Sequence, residues 1–294
     1  MLMKPPRFRY FAPQGVEEAL ALLAEHADEG RVLAGGQSLV PLMNMRLAHP
    51  GVLVDINGIR ELAYVRPWDG GLAFGAITRD AAVASDPTVA AHFPLLAEAA
   101  HCVGHPAIRN RSTVGGSIAH ADPAAELPAV MLALNAEFEV RSRSGSRTIS
   151  AQDFFKGYLM TDLKEGELLT ELRIPGLLPR SGSAFVEFSR REGDYALAGV
   201  AAVLELDEDG TIAHARLGLC SVGPAPVRPQ HAETLLRGQR PGDEAWAAAA
   251  TAVVAALDSP PSDIHGSADY RRGLAGILTR QALAIAAERA ERNR

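Results

Sequence analysis

A chain of 294 residues with 47% hydrophobic and 22% charged side chains holds too much apolar material for disorder, and it exceeds a typical domain of about 100–150 residues, so two or three compact units are expected. Its net charge of −6 and pI near 5.9 give no basic field for a polyphosphate backbone and argue against a membrane surface. No apolar run reaches the roughly 18–20 residues of a membrane-spanning helix and the N-terminus lacks an apolar signal core, which points to a soluble, cytoplasmic protein.

In chain order, Val16, Ala19, Leu20, Leu23, Ala24 and Ala27 recur at helical spacing. A short strand Arg31–Leu33 then leads into Gly35-Gly36. The segment 38–50 reads as a short helix ended by Pro50, and Val52–Ile56 as a buried strand, so residues 1–57 form a first α/β lobe. Residues 62–66 and 72–75 flank Asp69-Gly70-Gly71 as a hairpin. Helical patterns cover Thr78–Ala84 and Val89–His101, whereas the glycine-containing span 104–122 reads as a long loop before a helix that starts at Pro123. Strands at 137–141 and 168–174 complete a second lobe, 58–176, with Ile174-Pro175-Gly176 as its boundary. The last unit, 177–294, changes character: strands Ala184–Ser189, Ala198–Leu206 and Thr211–Ser221 suggest an antiparallel sheet, covered by the alanine-rich helices 243–257 and 269–290.

The most informative features are Ala34-Gly35-Gly36-Gln37-Ser38 and Thr113-Val114-Gly115-Gly116-Ser117, each placing two glycines beside a hydroxyl residue. Glycine admits positive φ and lets an anion approach the backbone N–H groups without a Cβ in the way. Two such loops could grip one pyrophosphate, helped by the hydroxyls of Ser38, Thr113 and Ser117; a Gly-Gly pair alone is more often just a turn. Neither fits GxGxxG or GxxxxGK[ST], so an ordinary Rossmann or P-loop site is not expected. Cys102 and Cys220, the only cysteines, are too far apart for a thiolate-built iron–sulfur or zinc centre, so redox chemistry would need an organic cofactor.

The strings AGGQSLVPLMNMRL (34–47), IRNRSTVGGSIAHADPAAELPA (108–129) and REGDYALAGVA (191–201) resemble the FAD-binding medium subunit of molybdenum hydroxylases, the group of aerobic carbon monoxide dehydrogenase and the flavin region of xanthine dehydrogenase. The resemblance covers nearly the whole chain. It implies an α+β fold: a two-lobed, PCMH-type FAD-binding domain followed by a C-terminal domain of antiparallel sheet plus helices. It also implies that Ala34, Gly35, Gly36, Gln37 and Ser38, flanked by Leu33 and Leu39, bind the FAD pyrophosphate, with Thr113, Gly115, Gly116 and Ser117 completing the cradle. Ala121, Asp122 and Glu126 would lie along the nucleotide, Asp122 having the alternative of a helix N-terminal role before Pro123. Ile77 in the segment 75–78, Val103-Gly104 and Leu168-Leu169 match positions lining the flavin and adenine pockets, and each could equally be core.

Tyr195 matches an aromatic position close to the isoalloxazine, where its ring would control access to the flavin and any effect on catalysis; otherwise it is a core tyrosine starting a strand. Val186 and Glu187 stand where the family frequently has a lysine, which leaves Arg190 or Arg191 as sources of cationic help. His101, His105 and His120 cluster near the second loop, but their spacing fits no zinc site and the family holds FAD noncovalently, so solvated or loop-capping roles are expected and no metal. Arg109-Asn110-Arg111 is read as ordering that loop.

The resemblance implies an electron-transfer subunit: a molybdenum subunit oxidises substrate, a small subunit with two [2Fe–2S] clusters relays electrons, and FAD delivers them to NAD, a quinone or oxygen. The partners would form a heterotrimer, commonly doubled, with the molybdenum cofactor and clusters outside this chain. Alternatives are a freestanding FAD-dependent oxidase or reductase and a nonredox nucleotide-binding assembly module.

Overall fold

The computed structural model describes residues 4–293. Its first unit is built from β1 (Arg9–Phe11), α1 (Val16–Glu25), β2 (Gly30–Leu33), α2 (Leu39–Asn44) and β3 (Val52–Asp55), with the strands parallel in the order β1-β3-β2. The apolar run Val52-Leu53-Val54 takes the centre, where both edges are paired and both faces are covered. Val16, Ala19, Leu20 and Leu23 of α1 share a cluster with Val52 and Val54. β1 was not expected: three residues with largely exposed side chains give no periodic signal, and only pairing to β3 defines the strand.

The second unit contains β4 (Val65–Trp68), β5 (Gly71–Gly75), α3 (Asp80–Ser85), α4 (Pro87–His92), α5 (Pro94–Cys102), α6 (Pro106–Arg109), α7 (Val114–His120) and α8 (Glu126–Ala133). It continues with β6 (Glu137–Ser142), β7 (Gly145–Ser150), α9 (Ala151–Phe154), the small hairpin β8 (Phe155–Gly157) and β9 (Met160–Thr161), and β10 (Leu168–Ile174). Five strands pair antiparallel in the order β4-β5-β10-β6-β7. The β4–β5 connection is a two-residue turn with Asp69 at φ 45° and Gly70 at φ 70°, the pair of positive φ values that matches the twist of the flanking strands.

Three expectations are corrected here. The helix expected over Val89–His101 is two helices, because Pro94 takes the first position of a new one and Asp86 caps the earlier one through the N–H groups of Thr88 and Val89. The span 104–122 is not a loop throughout; it contains α6 and α7, too short to show an apolar stripe. The helix expected from Pro123 starts at Glu126, since Ala121 is left-handed (φ 51°) and residues 122–125 turn.

The third unit comprises β11 (Ser181–Phe188), β12 (Ala198–Leu206), β13 (Ile212–Cys220), α10 (Gln230–Leu236), α11 (Asp243–Ala255) and α12 (Ala268–Arg292), with its antiparallel strands in the order β11-β12-β13. Every residue of β12 is buried, and alternation divides them between two cores. Ala198, Val200, Ala202 and Leu204 pack with α11 and α12; Ala201 and Val203 join the core of the second unit, beneath α5 and α8. The sheet is thus covered on both faces, one cover coming from the second unit. Gly218 marks that contact, since a Cβ there would run into the Ala129 carbonyl of α8.

α12 buries Ala275, Leu278, Ala282, Leu283, Ala286 and Ala290, a stripe at intervals of three and four whose small side chains let β11 approach closely. It begins at Ser267, whose hydroxyl accepts from the Tyr270 N–H at 3.2 Å. Ser267→Ala is expected to lower stability by about 1 kcal/mol, read as a small drop in denaturant midpoint at unchanged slope.

Candidate functional site

A cleft of about 990 Å³ runs between the first two units and is roofed by one loop of the third. Its walls hold Ala34, Gly35, Gly36, Gln37, Ser38, Leu39, Val103, Gly104, Thr113, Gly115, Gly116, Ser117, Asp122, Glu126, Leu168, Leu169 and Tyr195. Three further candidates do not line it: Ile77 and Ala121 are buried in cores, and Leu33 lies behind the first loop at the end of β2. Arg190 and Arg191 are also absent from the wall, and Arg190 faces Asp194 at 3.8 Å.

The two glycine loops do different work. In the first, the five consecutive N–H groups from Gly35 to Leu39 find no acceptor among the described residues, and Ser38 makes no capping bond to α2. Gly36, at φ 73°, makes the turn that points them. Successive unpartnered N–H groups form an anion-binding concavity. In the second loop the N–H of Val114 donates to Thr78 O (3.0 Å), that of Gly115 to Ala76 O (2.9 Å) and that of Gly116 to the Thr113 hydroxyl (3.1 Å). This loop contributes shape and hydroxyls, and the first supplies the main-chain donors.

Glycine is needed in each loop for contact as well as for turning. A Cβ on Gly35 would lie 2.6 Å from Ser112 Cα and strike the Arg111 carbonyl; one on Gly115 would lie 2.6 Å from the Ala76 Cβ. The first loop therefore rests directly on the backbone entering the second. A polar strut fixes this junction: Asn57 Nδ2 donates to Ala34 O (2.6 Å) and to Asp55 Oδ1 (2.7 Å), while Asn57 Oδ1 accepts from Arg79 Nη2 (2.7 Å). Arg79 also donates to the Arg111 carbonyl. Sequence reading missed Asn57 and Arg79, and no motif could have singled them out.

The hairpin β8–β9 and the segment after it supply wall residues that sequence reading also missed, among them Leu159, Met160, Thr161 and Lys164. From the third unit, the loop joining β11 and β12 lays Gly193, Asp194 and Tyr195 over the cleft. Gly193 has φ 82°, and a Cβ there would strike the His105 ring. Tyr195 is 66% exposed, so it stands at the mouth and is not a core tyrosine. His101 pairs its Nδ1 with Ala97 O (2.8 Å), and His120 lines the cleft with its imidazole pKa lowered by burial. Among the described residues no group of three or more His, Cys, Asp or Glu is placed to hold a metal ion.

Carboxyl groups complete the floor. Asp122 Oδ1 accepts from Ala124 N (2.9 Å), so one oxygen secures the turn before α8 and the other is left for a ligand. Glu126, 6% exposed, is pushed up to about 8 by burial and by Glu187 nearby. Burial also lifts Glu187 to about 7, beside Cys102, whose thiol burial pushes up to about 12. Glu187 is thus part of a protonatable pair, not a stand-in for a cation.

The donor set suits FAD: unpartnered N–H groups for a pyrophosphate and acceptors for sugar hydroxyls, in a cleft near the upper end of the ~300–1,000 Å³ usual for small-molecule sites. Residues 6–177 match the family model described as the FAD-binding domain in molybdopterin dehydrogenase, and residues 183–286 match the CO dehydrogenase flavoprotein C-terminal domain. The chain is 44% identical to the 6-hydroxypseudooxynicotine dehydrogenase complex subunit alpha of Paenarthrobacter nicotinovorans, over 98% of this chain and 97% of that one. It is 41% identical to the carbon monoxide dehydrogenase medium chain of Hydrogenophaga pseudoflava, over 96% and 97%. The solved structure of carbon monoxide dehydrogenase from Hydrogenophaga pseudoflava superposes with a TM-score of 0.95 at 42% identity, covering 98% of this chain and 99% of that one. With both domain models matched in order along nearly its full length, the chain belongs to the FAD-binding medium subunits of the molybdenum hydroxylases.

Proposed function

We propose that this chain passes electrons from [2Fe–2S] clusters of a partner subunit, through noncovalently held FAD, to an external acceptor such as NAD, a quinone or oxygen. The observation that carries this reading is the row of five unpartnered N–H groups, Gly35 to Leu39, facing the second glycine loop across one cleft. Flavin, when bound, supplies the exchange between one-electron and two-electron transfer. The chain's own part is binding and positioning. The first loop receives the pyrophosphate, Thr113 and Ser117 offer hydroxyls from the facing side, and Asp122 and Glu126 accept from the nucleotide. Leu33, Ile77 and Ala121 support the wall from behind.

The division into lobes 1–57 and 58–176 and a C-terminal domain 177–294 gives each loop its own lobe, so that the cofactor lies across their junction. The partners in this reading are an iron–sulfur small subunit and a molybdenum large subunit, in a heterotrimer that doubles. The oxidised substrate is set elsewhere: relatives of similar identity are named for 6-hydroxypseudooxynicotine and for carbon monoxide.

The test is the visible spectrum of the purified chain before and after addition of FAD, with denaturation to release it. A flavin spectrum and free FAD on unfolding are expected, followed by co-purification with subunits carrying iron–sulfur and molybdenum. A folded chain that stays colourless with FAD present would overturn the reading. Tyr195→Ala is expected to keep FAD affinity and to change reoxidation rate constants several-fold in stopped flow, because the ring stands exposed at the mouth of the cleft. Unchanged rates would remove Tyr195 from any role at the flavin.

A further inference from the structure

Asp80 opens α3 against the wall of the cleft and is fully buried. Neither of its carboxyl oxygens closes a hydrogen bond in full geometry, and the Ser112 hydroxyl beside it, also buried and lining the cleft, has no other partner. The two residues are held together by the Asp80 N–H, which donates to Ser112 O at 3.2 Å. The nearby cations are engaged elsewhere: Arg79 with Asn57 and the Arg111 carbonyl, Arg109 with the carbonyls of His101, Val103 and Gly104. Burial raises the carboxyl to about 6, with Ser112, Arg79 and Arg109 pulling the other way, so it is mostly ionised at neutral pH. A buried acceptor without donors is costly unless a ligand provides them.

The cleft's own ligand narrows the choice. Phosphate oxygens bring lone pairs and negative charge, which a carboxylate repels. Of the donors a dinucleotide carries, sugar hydroxyls are the ones that flank a pyrophosphate on both sides. Ser112 abuts the first glycine loop, since a Cβ on Gly35 would touch its Cα, so the residue to which the Asp80 N–H is bonded lies against the start of the anion-binding row. Two carboxylate oxygens with a hydroxyl beside them match a vicinal diol. We propose that Asp80, with Ser112 beside it, receives the vicinal hydroxyls of the bound dinucleotide, on its ribose or its ribityl chain. The proposal rests on the FAD reading and assigns a subsite within it.

The test compares the wild type with Asp80→Asn, Asp80→Leu and Ser112→Ala by FAD titration and by thermal unfolding of the ligand-free chains. Both Asp80 variants are expected to lose FAD affinity ten-fold or more while unfolding at an equal or higher temperature without FAD, because an unpartnered buried charge has been removed; Ser112→Ala is expected to lose less affinity. Competition by ADP and by FMN locates the diol: a loss confined to ADP places it on the ribose, and one confined to FMN on the ribityl chain. Undiminished FAD affinity in both Asp80 variants would overturn the proposal. So would a weaker affinity accompanied by a lower ligand-free melting temperature, which would assign Asp80 to the fold. Failure of the wild type to bind FAD would be a different result, bearing on the function itself.

Discussion

Gly35→Val is expected to abolish FAD retention, raising the dissociation constant by 100-fold or more, even though it leaves every unpartnered N–H of the first loop chemically intact. The added Cβ would lie 2.6 Å from Ser112 Cα and closer still to the Arg111 carbonyl, and both are backbone atoms with no flexible end to move aside. The loops must separate. Separation pulls Arg79 Nη2 from Asn57 Oδ1, the bond that joins the Asn57–Ala34 side of the strut to its Arg79–Arg111 side, so the strut fails with the contact. Gly36→Val acts differently: it forces a β-branched residue to φ 73°, where left-handed backbone costs roughly 1–2 kcal/mol, and its Cβ meets only the side chains of Leu33 and Val40 at 3.1 and 3.3 Å. Flavin fluorescence titration with circular dichroism separates the two. A folded Gly35→Val chain that binds FAD normally would show that contact between the loops does not hold the site.

This difference between neighbouring glycines shows what the sequence could and could not reveal. That residues 34–38 and 113–117 bend sharply is local information, carried by the glycines themselves. Gly35 is needed because Arg111 and Ser112 lie against it, seventy-odd residues later in the chain, and no local pattern records that. The same holds for the donors: the N–H groups of the second loop are satisfied by Thr78 and Ala76 on another connection, so the two loops look alike in sequence and act unlike in space. Ala198–Leu206 was legible as a strand because its run of small and branched apolar residues needs two covered faces. The second cover, α5 and α8, was not legible, because those helices belong to the preceding unit. β7 (GSRTIS) and the hairpin β8–β9 escaped notice for a simpler reason: one is a polar edge strand and the other has strands of three and two residues. Asp80 reads in sequence as an ordinary acid in a first helical turn, and only its burial sets it apart.

The ligand-free chain is expected to lose stability as the pH rises from 5 to 8, contrary to the usual protection of carboxylates by salt bridges. Glu126 and Glu187 lie at about 8 and about 7 in the folded chain, chiefly through burial, and an unfolded glutamate titrates near 4.3. Between those values the folded state holds protons that the unfolded state has released. The stability gained is therefore complete below the unfolded value and is lost as pH rises through the folded ones. Asp80, raised to about 6, adds in the same sense. Asp162 and Glu167, held below the usual carboxylate range by hydrogen bonds from Arg147, act only at lower pH, where their contribution is lost as they protonate, so the optimum falls near pH 5. Because Glu126 and Glu187 repel each other when both ionise, they titrate as a pair, and their joint contribution is on the order of a few kcal/mol, which corresponds to several degrees in melting temperature for a chain of this size. Melting curves of the ligand-free wild type at pH 5, 6.5 and 8 should descend, and Glu187→Gln should flatten the descent by removing one ionisable partner. A melting temperature that climbs from pH 5 to 8 would mean that both carboxyls are already ionised in the native state.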